Sequence, residues 1–265
     1  MARFRALTNG RVSAAALALS VGVLLSGCSG TDDKHDAEHH PTVVATTAWE
    51  AGFAKAAGID DVQVIVPTSV HHAPDYDPKP SDLNAVAEAD FVLYAPFEPF
   101  AAKIKEAAGS RAKLIEVNLD NSADKVTAQV QALGKEFGTA SAAESWTSAF
   151  IAEYDRLGKE VRATWPGGKQ PTVVAQVFST WAAQLAGAQV VGTYGPEAVT
   201  PGQLAGLAAK KPDFVLDNAH MSSGTALPDS GAKQVSIVNF PGQDYDLLGV
   251  YRNAEVALKK AMSGS

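Results

Sequence analysis

A single cysteine, Cys28, stands in a chain of 265 residues, so no disulfide can form within it. Basic residues are outnumbered, 22 against 29 acids, which gives a formal charge of −7 and argues against a nucleic-acid partner. No internal repeat recurs at a fixed period, and nothing after Cys28 is long and apolar enough to read as a membrane span. No His-Glu-x-x-His pattern occurs, and no serine sits in a nucleophile elbow, so the chain is not expected to be an enzyme.

The first residues do carry a signal. "MARFRALTNGR" holds Arg3, Arg5 and Arg11 and no acid; "VSAAALALSVGVLL" is apolar but short; "LSGC" then closes on Cys28. This order predicts a secretory signal over residues 1–27. Leu-Ser-Gly before cysteine matches the lipobox of bacterial lipoproteins, which implies cleavage before Cys28 and lipid on its sulfur. The mature chain is then expected outside the cytoplasmic membrane and anchored to it, because several acyl chains on one cysteine hold a membrane stably. Removing residues 1–27 takes away three arginines and no acid, moves the formal charge from −7 to −10 and leaves 238 residues. That length suits one large domain or two modest lobes.

Residues 28–41 read as a disordered tether, polar and acid-rich. They also hold His35, His39 and His40, so the same stretch reads as a weak metal-collecting tail.

From "TVVATT" onward, short β-branched runs alternate with helical spacings: "VQVIVP", "DFVLYA" and "AKLIEVN" as strands, "AWEAGFAKAAG", "SDLNAVAEA" and "EPFAAKIKEAAG" as helices, with Ser81 as the expected N-cap of the second. Such alternation predicts α/β layering with a mainly parallel sheet. Residues 121–164 read as almost wholly helical, with a soft break at "FGTA". There Trp146, Phe150, Tyr154, Leu157 and Val161 recur every three or four residues as one apolar stripe. A second alternating half follows "WPGGKQP" and ends in a helix expected from Asp244 to Met262. The plan is a lobe over 42–138, a linking helix over 139–165 and a second lobe over 166–265.

"SVHHAPDYDPKPSD" (Ser69–Asp82) puts His71 and His72 on a segment stiffened by Pro74, Pro78 and Pro80 at a strand end. The stretch "DYDPKPSDLNAVAEADFVLYA" resembles the zinc/manganese solute-binding lipoproteins of ABC importers, the helix-linked class of periplasmic-type binding proteins. The lipobox, the long central helix and "DYDLLGVYRNAEVALKKA" agree with it. The resemblance implies two α/β lobes joined by a long helix, a cleft between them, an importer permease as partner and a monomeric chain. It also implies a transported metal, zinc first and manganese next, held between the lobes by histidines and carboxylates from both.

The chain departs from that pattern at each ligand position. Pro74 falls where the first histidine belongs, so His72 or His71 stands in, with one extra residue in the spacing. Glu116 is the counterpart of the second ligand. Gln176 stands at the third, with Trp181 on the family's aromatic, and Asn239 stands in place of the last aspartate. Neutral amides are poor ligands for a transition metal. A replacement shell of His72 (or His71), Glu116, Asp217 and His220 would give two nitrogens and two oxygens, which suits zinc. Asp217 also reads as a turn acid, His220 as a loop histidine, and Glu98 in "APFEPF" as a surface helix start. The competing functions are a receptor for a metal chelate or another small ligand on the same fold, favoured by Gln176 and Asn239, and a surface adhesin without a transport role.

Overall fold

The computed structural model describes residues 41–70, 73–222, 224–228 and 230–263. The signal, Cys28, the histidines of the tether, His71 and His72 lie outside the described residues. The first half runs β1 (Val43–Ala45), α1 (Ala48–Ala56), β2 (Val62–Val64), α2 (Pro80–Glu88), β3 (Phe91–Tyr94), α3 (Ala101–Ala108) and β4 (Lys113–Glu116). Two long helices follow, α4 (Ala123–Phe137) and α5 (Ala140–Arg162). The second half is β5 (Thr172–Gln176), α6 (Thr180–Ala186), β6 (Gln189–Tyr194), α7 (Pro201–Ala208), β7 (Phe214–Asn218), β8 (Lys233–Ile237) and α8 (Leu247–Met262).

Each half builds one four-stranded parallel sheet, ordered β2-β1-β3-β4 in the first and β6-β5-β7-β8 in the second. The fold is therefore two α/β lobes, as the alternation predicts. Among the described residues no helix is long and apolar enough to cross a membrane. The central strands β1 and β7 are buried at every position because both their faces are covered; β1 is apolar throughout and β7 is apolar up to Leu216. In both sheets the order reverses at the middle, between β1 and β3 and between β5 and β7. Such reversals open a crevice at the carboxyl ends of the strands, where ligands of open α/β sheets bind.

The lobes share a core. One buried cluster takes Val43, Phe53 and Leu93 from the first lobe, Val173, Trp181 and Leu216 from the second, and Phe150, Leu157 and Tyr251 from α5 and α8. Phe150, Leu157 and Val161 of the predicted stripe are buried, and Trp146 stacks on Phe150 with ring centroids 5.0 Å apart. Phe150 in turn meets Tyr251 of α8 edge-on at 4.9 Å. Smaller clusters cover the outer faces of the sheets, around Val44, Ile65 and Ile104 in the first and Val174, Leu207 and Val215 in the second.

The soft break falls where the sequence places it. Gly138 ends α4 in the left-handed region (φ 75°), which costs glycine nothing. One turn earlier Gly134 lets α5 approach: a Cβ there would lie 2.4 Å from Ala143 Cβ. Gly134→Ala is expected to destabilise the protein by about 1–3 kcal/mol through overpacking, although alanine is the better helix former. A urea titration showing an unchanged or raised midpoint would contradict this.

Two helix starts differ from expectation. Ser81 is not the N-cap of α2. The helix begins at Pro80, whose fixed φ suits the first helical position, and the Asp82 carboxylate accepts the Lys79 N–H at 2.8 Å. α8 begins at Leu247 rather than near Asp244, because Tyr245 has a positive φ of 55° and Asp246 caps the helix by accepting from Leu248 N at 3.0 Å.

Candidate functional site at the carboxyl ends of the sheets

Loops from the carboxyl ends of both sheets meet. Trp49, at the start of α1, donates its indole N–H to Asn121 Oδ1 at 3.1 Å. Asn121, between β4 and α4, passes the link across by donating Nδ2 to the Asn239 carbonyl at 2.6 Å. Asn239 follows β8, and its Oδ1 accepts the indole N–H of Trp181 at 3.0 Å. Tyr251 completes the junction by donating to the Asn121 carbonyl at 2.8 Å. Asn121 and Asn239 are each 1% exposed, so these amides are buried and their bonds are correspondingly consequential. Beside them Trp49 packs on Phe240 with centroids 6.1 Å apart, and His220 stacks on Phe240 at 3.9 Å.

The first lobe places two buried acids at its crevice. Glu50 fits there because it closes a capping box: Thr47 N donates to Glu50 Oε2 at 3.1 Å, the Thr47 hydroxyl donates to the same oxygen, and Trp49 N donates to Thr47 Oγ1 at 3.2 Å. Its other oxygen, Oε1, is buried without a hydrogen-bond partner. Glu98 lies in the turn between β3 and α3 and accepts from the Thr46 hydroxyl at 3.1 Å and from Ala95 N at 3.2 Å. Burial pushes the Glu50 carboxyl up from its ordinary value, against the lowering effect of the Thr47 donors. Burial, and then the neighbouring Glu50 carboxylate, push Glu98 up to about 8. Near neutral pH the first-lobe wall therefore carries less negative charge than its acids suggest. Glu98 is 6% exposed and not the surface helix start that its sequence context suggests. The signal in the sequence that marks Glu50 is Thr47 three residues before it, the spacing of a capping box.

The sequence-proposed ligands are placed as follows. Glu116 ends β4, is exposed, accepts from the Tyr94 hydroxyl at 2.6 Å and lies 3.7 Å from the Lys105 ammonium. Asp217 lies inside β7 and is 3% exposed. Its carboxylate accepts from Tyr194 Oη at 2.6 Å, Ser222 Oγ at 2.5 Å and Gln234 Nε2 at 2.9 Å, so protein donors take up most of its capacity. The Tyr194 hydroxyl is raised well above its ordinary pKa by burial and by that carboxylate. His220 is half-buried against Phe240. Among the described residues no three of His, Cys, Asp and Glu come together to hold a metal ion, and the trio Glu116, Asp217 and His220 is included in that statement.

Gln176 and Asn239 are buried at the carboxyl ends of β5 and β8, 3% and 1% exposed. Gln176 Oε1 accepts Phe178 N at 2.7 Å, which caps the short turn into α6.

No protein-family model matches the chain, and neither does any curated protein. Solved structures do share the fold. One is ZnuA, 20% identical, with a TM-score of 0.59 over 85% of this chain and 99% of that one. Another is the solute-binding protein FpvC of Pseudomonas aeruginosa in complex with Mn2+, 14% identical, with a TM-score of 0.62 over 84% and 99%. A third is the laminin-binding protein of Streptococcus agalactiae, a bifunctional protein with adhesin and metal transporting activity, 15% identical, with a TM-score of 0.62 over 83% and 99%.

Proposed function

We propose that this chain is an extracytoplasmic solute-binding protein that captures a transition metal ion, zinc in preference to manganese, between its lobes and delivers it to an ABC importer. The observation that carries the reading is the meeting of both sheets' carboxyl-end loops at Trp49, Asn121, Asn239 and Phe240, on a fold shared over most of the chain with a solute-binding protein in complex with Mn2+ and with a protein of metal transporting activity. In this reading residues 1–27 are removed and 28–41 tether the protein through a lipidated Cys28. Residues 42–138 and 166–265 are the lobes, and 139–165 link them. The metal is held by His72 or His71 on the segment joining β2 to α2, with Glu116, Asp217 and His220 as the other donors proposed from sequence. Asp217 and Glu116 would have to leave their tyrosine partners to take part.

Melting of the folded protein with and without zinc tests this. A ligand bound to the native state alone stabilises it by about 2.7 kcal/mol at a hundredfold excess over Kd. For a chain of this size that is roughly 5–10 °C. The shift is expected at pH 7.5 and should vanish near pH 5, where imidazole is protonated and stops ligating. The double variant His71→Ala, His72→Ala should lose the shift while melting like the wild type without zinc. A full shift in that variant would remove the segment from the site.

Anchoring is tested separately. The full chain is expected in the membrane fraction of a bacterial host, and Cys28→Ala is expected to release it. Retention of the variant would point to an uncleaved apolar anchor.

A further inference from the structure

Gln176 and Asn239 are held in one orientation each, and the orientation has chemical consequences. Gln176 Oε1 faces a backbone N–H, and Asn239 Oδ1 faces an indole N–H. Both partners can only donate. Turning either amide round would set an NH2 group against an N–H, so neither can flip. The half of each side chain that remains is the NH2. Gln176 Nε2 and Asn239 Nδ2 are both buried and have no hydrogen-bond partner, and the same is true of Ser179 Oγ in the turn after β5. Gly195, at the end of β6, leaves room beside the first of them, since a Cβ there would lie 3.2 Å from Gln176 Nε2. Buried donors without acceptors are uncommon and costly, and they call for a missing partner.

These groups suit an oxygen acceptor and not a cation. An amide NH2 has no lone pair to give a metal, and the amide oxygens that could ligate are already taken. We propose that the carboxyl end of the second sheet is an acceptor-binding subsite in which Gln176 Nε2 and Asn239 Nδ2 donate to carboxylate oxygens of a small polycarboxylate chelator that arrives with the metal. The inference rests on the metal-import reading and changes its cargo from a bare ion to a metal chelate. The raised pKa of Glu98 on the first lobe is consistent with such a cargo, because a neutral acid does not repel a carboxylate.

Isothermal titration of the full chain at pH 7.5 tests the proposal with three probes: zinc chloride, sodium citrate, and the two premixed in equal amounts. The premixed probe is expected to bind at least tenfold more tightly than either component. Gln176→Glu and Asn239→Asp replace a donor by an acceptor, and each should weaken the premixed probe tenfold or more while tightening zinc chloride. Gln176→Met, which adds no charge, covers the chance that a buried acid prevents folding; it should lose the preference for the premixed probe and keep its ability to bind zinc chloride. Equal affinity for zinc chloride and the premixed probe, unchanged in the variants, would overturn the proposal and leave the bare-ion reading standing. Citrate binding as well alone as with zinc would keep the donor subsite and overturn the metal reading. Failure of all three probes to bind would overturn both.

Discussion

Trp181→Ala is expected to lower the unfolding free energy by about 4–6 kcal/mol. The ring is 2% exposed and packs edge-on against Tyr251 with centroids 5.0 Å apart. Truncating a buried tryptophan to alanine costs about 3–5 kcal/mol, because the cavity refills only in part. The indole N–H is also the donor that satisfies Asn239 Oδ1, and an orphaned buried acceptor adds roughly 1–3 kcal/mol. Domains of this kind hold only about 5–15 kcal/mol in total, so the melting temperature should fall by roughly 10–20 °C. Trp181→Phe keeps most of the ring and loses only the N–H, and it should cost far less. Urea unfolding of the two variants separates the packing loss from the hydrogen-bond loss. Similar midpoints for both would mean that the hydrogen bond, and not the ring, holds the junction.

The variant also bears on the site. With Trp181 gone, Asn239 is free to turn its oxygen outward. A destabilised Trp181→Ala protein is therefore expected to prefer zinc chloride over the zinc–citrate mixture more than the wild type does.

The periodicities carry the fold well. Buried parallel strands announce themselves as apolar runs such as "FVLYA" and "TVVA", and the α4–α5 break shows as Gly138-Thr139 between two helical runs. Helix starts are less legible because they depend on one dihedral angle, as at Tyr245, or on which of two neighbouring residues the proline selects, as at Lys79 and Ser81. The site is harder again. The identity of a side chain does not reveal what it already bonds. Asp217 reads as an available carboxylate until Tyr194, Ser222 and Gln234 are seen around it, and each comes from a different strand or loop. Glu98 reads as exposed because a helix start is normally exposed, whereas here the preceding strand is central and its end is covered. Gln176 and Asn239 are visible in the sequence as missing ligands. That their oxygens are engaged and their nitrogens are not depends on the bonds to Phe178 and Trp181, which are known only once the chain is folded.

The protein should lose stability as the pH rises from about 4.5 to about 8, with Glu98 the main cause. Its carboxyl is raised from 4.5 to about 8 by burial first and the Glu50 carboxylate second. Below pH 4.5 it is neutral in both the folded and the unfolded chain, and nothing is lost. Between the two values the unfolded chain releases the proton and the fold retains it. The unfolded state then binds fewer protons, and stability falls with each step in pH. Above about 8 both states are ionised and the loss stops. A shift of that size corresponds to roughly 5 kcal/mol across the window, since one pKa unit is about 1.4 kcal/mol. Glu50, also raised, acts in the same direction. The surface carboxylate Glu153 acts in the opposite one: hydrogen bonds from Arg156 and then Arg252 lower it to about 2, so its contribution is lost only as the pH falls below 4.5. The two windows do not overlap, and a pH series of urea midpoints reads them separately. Glu98→Gln can keep its one oxygen on the Ala95 N–H and turn its NH2 to donate to the Thr46 hydroxyl oxygen, and it has no proton to lose. It should flatten the profile between pH 5 and 8 and be the more stable protein at pH 8 by a few kcal/mol. A variant that declines as steeply as the wild type would show that the titrating group is another one.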